Sequence, residues 1–212
     1  SSWLQKGITL EQLQSLEKEW IEKAEQNQWI IPKARFGLFP AQANGDEVIF
    51  YESESRDKEL GRFNFDLCVG KGRKDKFSIG QYFHSVESGQ IDAIGLQITT
   101  AGAGVEEGIK SLKEQNESES SLYLQGLSDR VAEDMAEYIH QLLRTRAGYK
   151  KENRGQRYSP GYPALTNLKG NHIIWNALGA EDLGVTLTAA NEFFPPSTTA
   201  AVICFHKDAG YN

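Results

Sequence analysis

The stretch that most limits what this chain can become is LYLQGLSDRVAEDMAEYIHQLLRTRAG, residues 122–148. Leu124, Leu127, Val131, Met135, Tyr138 and Leu142 recur there at spacings of three and four, the period that puts side chains on one face of an α-helix. A long helix with one apolar side is not stable alone in water and needs a surface to cover that side. The fold must therefore supply a broad layer for this helix to lie on.

That layer reads as a sheet. EVIFYE (after the turn signal NGD at 44–46), RFNFDLCV, DAIGLQITTAG at 92–102, VTLT and AAVICFH carry the β-branched and aromatic residues of strands. TLEQLQSLEKEWIEKAEQNQW opens with a capping signature, Thr9 followed by Gln12. Its Leu10, Leu13, Leu16, Trp20, Ile21 and Ala24 predict a helix from about 9 to 27. GVEEGIKSLKEQ predicts a second helix closed by a turn at NESESS, and GNHIIWNALGAEDLG a short one. ESESRDKELG, GKGRKDKFS and NEFFPPSTT read as turns or loops, and IGQYFHSV as a short strand or an irregular core segment. Strands and helices do not alternate as βαβ units, and no GxGxxG or Walker pattern occurs. The expectation is an α+β fold with a central antiparallel sheet flanked by helices. No repeat or linker divides the chain, so residues 1–212 are expected to form one domain, with 1–33 mainly an N-terminal helix.

The formal net charge of −6 argues against a general nucleic-acid binder. One run, RTRAGYKKENRGQR at 144–157, is locally basic and reads as a solvated helix end. No stretch approaches the 18 apolar residues of a membrane span, and the amino terminus shows no signal pattern. Cys68 and Cys204 lack CxxC spacing and are expected to be free buried thiols of a cytoplasmic protein.

The candidate site begins with GQRYSPGYPALT, residues 155–166. Prolines fix φ and glycines permit otherwise forbidden φ, so this run holds one shape and leaves backbone groups accessible around Arg157. An arginine matches a carboxylate through its planar fork, and Glu133 on the long helix could attract a positive centre. Together they suit a small zwitterion or cation. The EYIH of Glu137 and His140 matches a Glu-x-x-His metal element, but such sites need a second helix of this kind; a solvated helix face is the preferred reading. No nucleophile–base pair stands out, so the residues describe a ligand-binding module.

LFPAQANGDEVIFYE, DAIGLQITTAGAGVE, GLSDRVAEDMAEYIH, RYSPGYPA and GVTLTAANEFFPPSTTAAVICFH also occur in one order. In that order they resemble the activation domain of vitamin B12-dependent methionine synthase over residues 34 to 212. The Arg-x-x-x-Gly-Tyr element from Arg157 to Tyr162 is the most diagnostic part. The resemblance implies a curved α+β domain that binds S-adenosylmethionine beside a cobalamin domain and helps restore methylcobalamin after the cobalt is oxidised. A flavodoxin-like or other reductase would supply an electron. It further implies that Arg157 grips the methionine carboxylate and Glu133 lies by the methionine portion. Ser159 and Gly161 would present backbone groups, Tyr162 completes the motif, and Tyr211 lies by the ligand.

Cobalamin would be held by a partner domain or chain, so the domain is not expected to transfer methyl groups unaided. The family's amino-terminal aspartate falls before the first residue here, which suggests a fragment or a shortened relative. An alternative, motivated by Ser159 and Ala189 where the family usually has other residues, is a non-catalytic module that docks a corrinoid protein or a reductase.

Overall fold

A computed structural model of the chain describes residues 9–69, 74–149 and 154–210. It opens with helix α1, Leu10–Gln26, whose start is fixed by the expected capping box: Thr9 Oγ1 accepts from the Gln12 amide and Gln12 Oε1 accepts from the Thr9 amide. Strands β1 (Lys33–Asn44), β2 (Glu47–Tyr51) and β3 (Glu59–Asn64) follow, then the short pair β4 (Cys68–Val69) and β5 (Lys76–Phe77). IGQYFHSV resolves into irregular core, with 3₁₀ turns at Ile79–Tyr82 and Val86–Ser88.

After β6 (Asp92–Thr100) come helices α2 (Gly104–Glu114) and α3 (Ser118–Arg146). Strand β7 (Gln156–Tyr158), helix α4 (Lys169–Leu178), the small pair β8 (Thr186–Leu187) and β9 (Phe193–Phe194), and strand β10 (Thr198–Cys204) complete the chain. Six strands form one sheet in the order β3-β2-β1-β6-β10-β7, every neighbour antiparallel. This is the expected α+β architecture.

Period-two alternation sends each central strand's side chains to two different layers. Ile94, Leu96 and Ile98 of β6, with Ala200, Val202 and Cys204 of β10, enter a large apolar core that includes Phe50, Phe63, Tyr158 and Ile174 of α4. The intervening Gln97 and Thr99 face α3, where Thr99 Oγ1 donates to the Ala132 carbonyl (2.9 Å) and Gln97 Nε2 to that of Ala136 (3.2 Å). A second cluster joins Trp20 and Ala24 of α1 to Val105, Ile109 and Leu112 of α2 and to Leu124 and Leu127 of α3.

Three expectations are corrected. The buried face of α3 is Leu124, Leu127, Ser128, Ala132, Ala136, Ile139, His140 and Leu143, so beyond Leu127 it lies one position on from the apolar stripe. Tyr138 is 65% exposed, and Val131, Met135 and Leu142 are half-buried. The cause is close approach: Ala132 and Ala136 bring the helix backbone within hydrogen-bonding reach of the sheet, which larger side chains would prevent. NESESS does not form a closing turn throughout, because α3 already begins at Ser118. NEFFPPSTT, expected as a loop, includes β9 and the start of β10. The longest strand, β1, had no strand signal of its own. Its Gly37 and Pro40 pair only with β6, since β2 reaches no further than Ala41, and a one-sided stretch tolerates proline.

Candidate functional site

Strand β7 is an edge strand, and its three residues fix the site. Tyr158 pairs with Val202 and is fully buried in the large core, edge-on to Phe65. Alternation then places Arg157, paired with Ile203, on the opposite face, toward α3. Two glycines bracket this pairing. Gly155 (φ 88°) passes so close to β10 that a Cβ there would lie 2.7 Å from the Cys204 carbonyl oxygen. Gly161 (φ 92°) follows Pro160 in a turn in which the Tyr162 amide donates to the Ser159 carbonyl (3.3 Å). Proline then glycine at the two central positions is the type II pattern.

The turn is tied down beyond its own residues. The Gly161 amide donates to the Leu165 carbonyl (2.8 Å) and the Leu165 amide to that of Tyr162 (2.8 Å). From across the molecule, the Asp66 amide donates to the Ala164 carbonyl, and Asp66 Oδ2 accepts from the Thr166 amide (2.8 Å) and hydroxyl (2.7 Å). The Thr166 amide first, then its hydroxyl, hold the Asp66 carboxyl below its usual pKa.

Helix α3 supplies the facing wall. Arg157 Nη2 lies 3.5 Å from Glu133 Oε2 and 3.7 Å from Glu137 Oε2, two carboxylates one helical turn apart. Ser197 secures this wall to the sheet by donating to Asp129 Oδ1 (2.7 Å) and sharing a hydrogen bond with Ser128 (2.8 Å). Between wall and turn lies an open cleft of about 260 Å³ lined by Glu133, Gln156, Arg157, Ser159, Tyr162 and Thr199.

The model of the family described as vitamin B12 dependent methionine synthase, activation domain, matches residues 5–212. The chain belongs to that family. It is 24% identical over 200 residues to the methionine synthase of Mycobacterium tuberculosis, a match covering 83% of this chain and 16% of that much longer protein. Its fold is similar to that of the MetH reactivation domain in a crystal structure with AdoHcy. The TM-score is 0.86 at 22% identity, covering 97% of this chain and 70% of that one.

In this activation domain Glu133, Arg157, Ser159 and Tyr162 meet in one cleft, and Gly161 sits in the turn that shapes it. Tyr211 lies outside the described residues. Sequence reasoning missed Gln156 and Thr199. Thr199 carries no motif and reaches the site only because β10 lies between β6 and β7.

His140 is a correction: in place of a solvated face it occupies a buried position, 6% exposed, with Nδ1 3.8 Å from Glu137 Oε2. Burial pushes its pKa down, against the pull of Glu137, while Arg144 and Arg157 lower it further. No cluster of three or more metal-ligating side chains occurs among the described residues. Cys68 and Cys204 are free and buried as expected, and desolvation pushes the Cys204 thiol up to about 12, far from nucleophilic.

Proposed function

We propose that this activation domain binds S-adenosylmethionine in the cleft between β7 and α3, serving reactivation of a cobalamin-dependent methionine synthase. The observation that carries the reading is the presentation of Arg157. A strand end locked by the core residue Tyr158 and two positive-φ glycines aims a guanidinium at a cleft whose other wall bears Glu133. The donor set fits the ligand. A planar fork suits an amino-acid carboxylate, Glu133 suits its ammonium or sulfonium charge, and the Ser159–Tyr162 turn offers backbone groups to the rest. Bound there, S-adenosylmethionine would supply an electrophilic methyl group. The domain's residues would bind and orient it, while cobalamin sits on a partner domain and a flavodoxin-like or other reductase provides the electron. The solved relative's complex with AdoHcy supports the ligand class.

Calorimetric titration with S-adenosylmethionine tests this. The wild-type chain binds one equivalent, and Arg157→Ala loses about 2–5 kcal/mol of binding, much of it from leaving a carboxylate unpaired. Equal affinity in the variant removes Arg157 from the site. A wild-type chain that binds no S-adenosylmethionine but retains a corrinoid protein or reductase would favour the docking alternative.

A further inference from the structure

Arg157 faces more negative charge than it needs. Glu133 and Glu137 both lie within ion-pairing distance of Nη2, and the other residues lining the cleft, Gln156, Ser159, Tyr162 and Thr199, are uncharged. Two carboxylates against one guanidinium leave one negative charge in excess at the pair itself, and Arg144, the other cation acting on this corner, is felt at His140. Glu137 does not line the cleft. It stands one turn along α3, where Oε2 is shared between Arg157 and the buried His140. His140 Nε2 has no hydrogen-bond partner among the described residues, and Nδ1 of that ring lies 3.8 Å from Glu137 Oε2. Burial favours the neutral imidazole, so the charge of Glu137 is met by Arg157 and not by His140.

Resting on the S-adenosylmethionine reading, we propose that Glu137 is a specificity-determining residue that makes this cleft prefer the methyl donor over its demethylated product. S-adenosylmethionine carries a carboxylate, an ammonium and a sulfonium, one net positive charge. S-adenosylhomocysteine, a thioether, is net neutral. Both ligands offer the same carboxylate to Arg157. They differ in charge at sulfur, and the excess negative charge acts on that difference. With Glu137 neutralising Arg157 at the shared Nη2, Glu133 is released to face the cationic part of the donor. Loss of the sulfonium charge removes the attraction and frees the product to leave.

The test is titration with S-adenosylmethionine and S-adenosylhomocysteine separately, near neutral pH and at low salt, on the wild-type chain, Glu137→Gln and Glu137→Asp. The Gln variant keeps size and hydrogen-bonding capacity but not charge. Its preference for the donor falls roughly three- to tenfold, because the donor weakens while the thioether does not, as expected for one charge acting through a partly solvated cleft. The Asp variant retains the preference.

Equal weakening of both ligands in Glu137→Gln would show that Glu137 only holds Arg157 and would overturn this inference alone. An Asp variant that loses the preference as fully as Gln would also overturn it. A wild-type chain that binds neither ligand would remove the proposed function, and this inference with it. Added salt gives a reading that needs no variant: the donor's affinity falls while that of the thioether holds. Parallel or flat salt responses contradict the proposal.

Discussion

The two faces of the six-stranded sheet are packed by different means. On the α4 face, Ile94, Leu96, Ile98, Val202, Phe50 and Phe63 fill an apolar core, with Phe50 and Phe63 stacked at 5.4 Å. On the α3 face the middle of β6 presents Gln97 and Thr99, the helix answers with Ala132 and Ala136, and a smaller apolar cluster of Ile139, Leu143, Ile203 and Phe205 completes the contact. One face is held by volume alone, whereas the other adds close approach and hydrogen bonding to a smaller apolar cluster. The candidate cleft opens on the second face, where small residues admit neighbours and polar groups are already in place. One layer thus anchors Tyr158, and its neighbour Arg157 turns to the other.

The largest expected effect lies on the apolar face. Phe50→Ala removes a fully buried ring and should cost about 3–5 kcal/mol in urea unfolding, with little change at a cleft it does not line. A loss near zero would deny that this face supplies the bulk of the stability. The opposite manoeuvre probes the α3 face: Ala136→Leu adds volume where the helix sits against Gln97 and should cost about 1–3 kcal/mol by overpacking. Because the displaced helix carries Glu133 and Glu137, ligand affinity should fall as well. A stabilised variant would mean the face is loosely packed after all.

The smallest effect is in pH. Burial lowers the pKa of both His140 and His206, so the unfolded chain takes up protons before the folded one does. Their contribution is complete above the unfolded histidine value of about 6.5 and is lost as pH falls through the lower folded values. Melting temperature should therefore drop in mild acid, and His140→Asn should flatten that slope relative to wild type. Identical slopes would contradict a buried neutral His140.

How far the sequence discloses this molecule divides along the same line. Large side chains at regular spacing were readable: α1 with its capping box, α2, and the strands running through Phe50 and Ile94–Ile98 lie where hydropathy puts them. The α3 face was misread because hydropathy weights Val131, Met135 and Tyr138, whereas the sheet selects Ser128, Ala132 and Ala136 for their smallness. Strand β1 escaped because Gly37 and Pro40 mark breaks unless one knows that only one side is paired. Around the cleft, Arg157 and its turn announced themselves through proline and glycine chemistry. Glu137 was visible but grouped with His140 as a solvated pair. Thr199 became a neighbour only through strand order, which no local pattern encodes.

The most direct check of the central claim is a crystal structure of this chain with S-adenosylmethionine. The account predicts the methionine carboxylate within about 3 Å of the Arg157 guanidinium, the cationic part toward Glu133, and the remainder along the Ser159–Tyr162 turn. A ligand seated elsewhere, as in the open groove between Lys33, Arg35 and Arg146, with Arg157 still paired to Glu133 and Glu137, would contradict it.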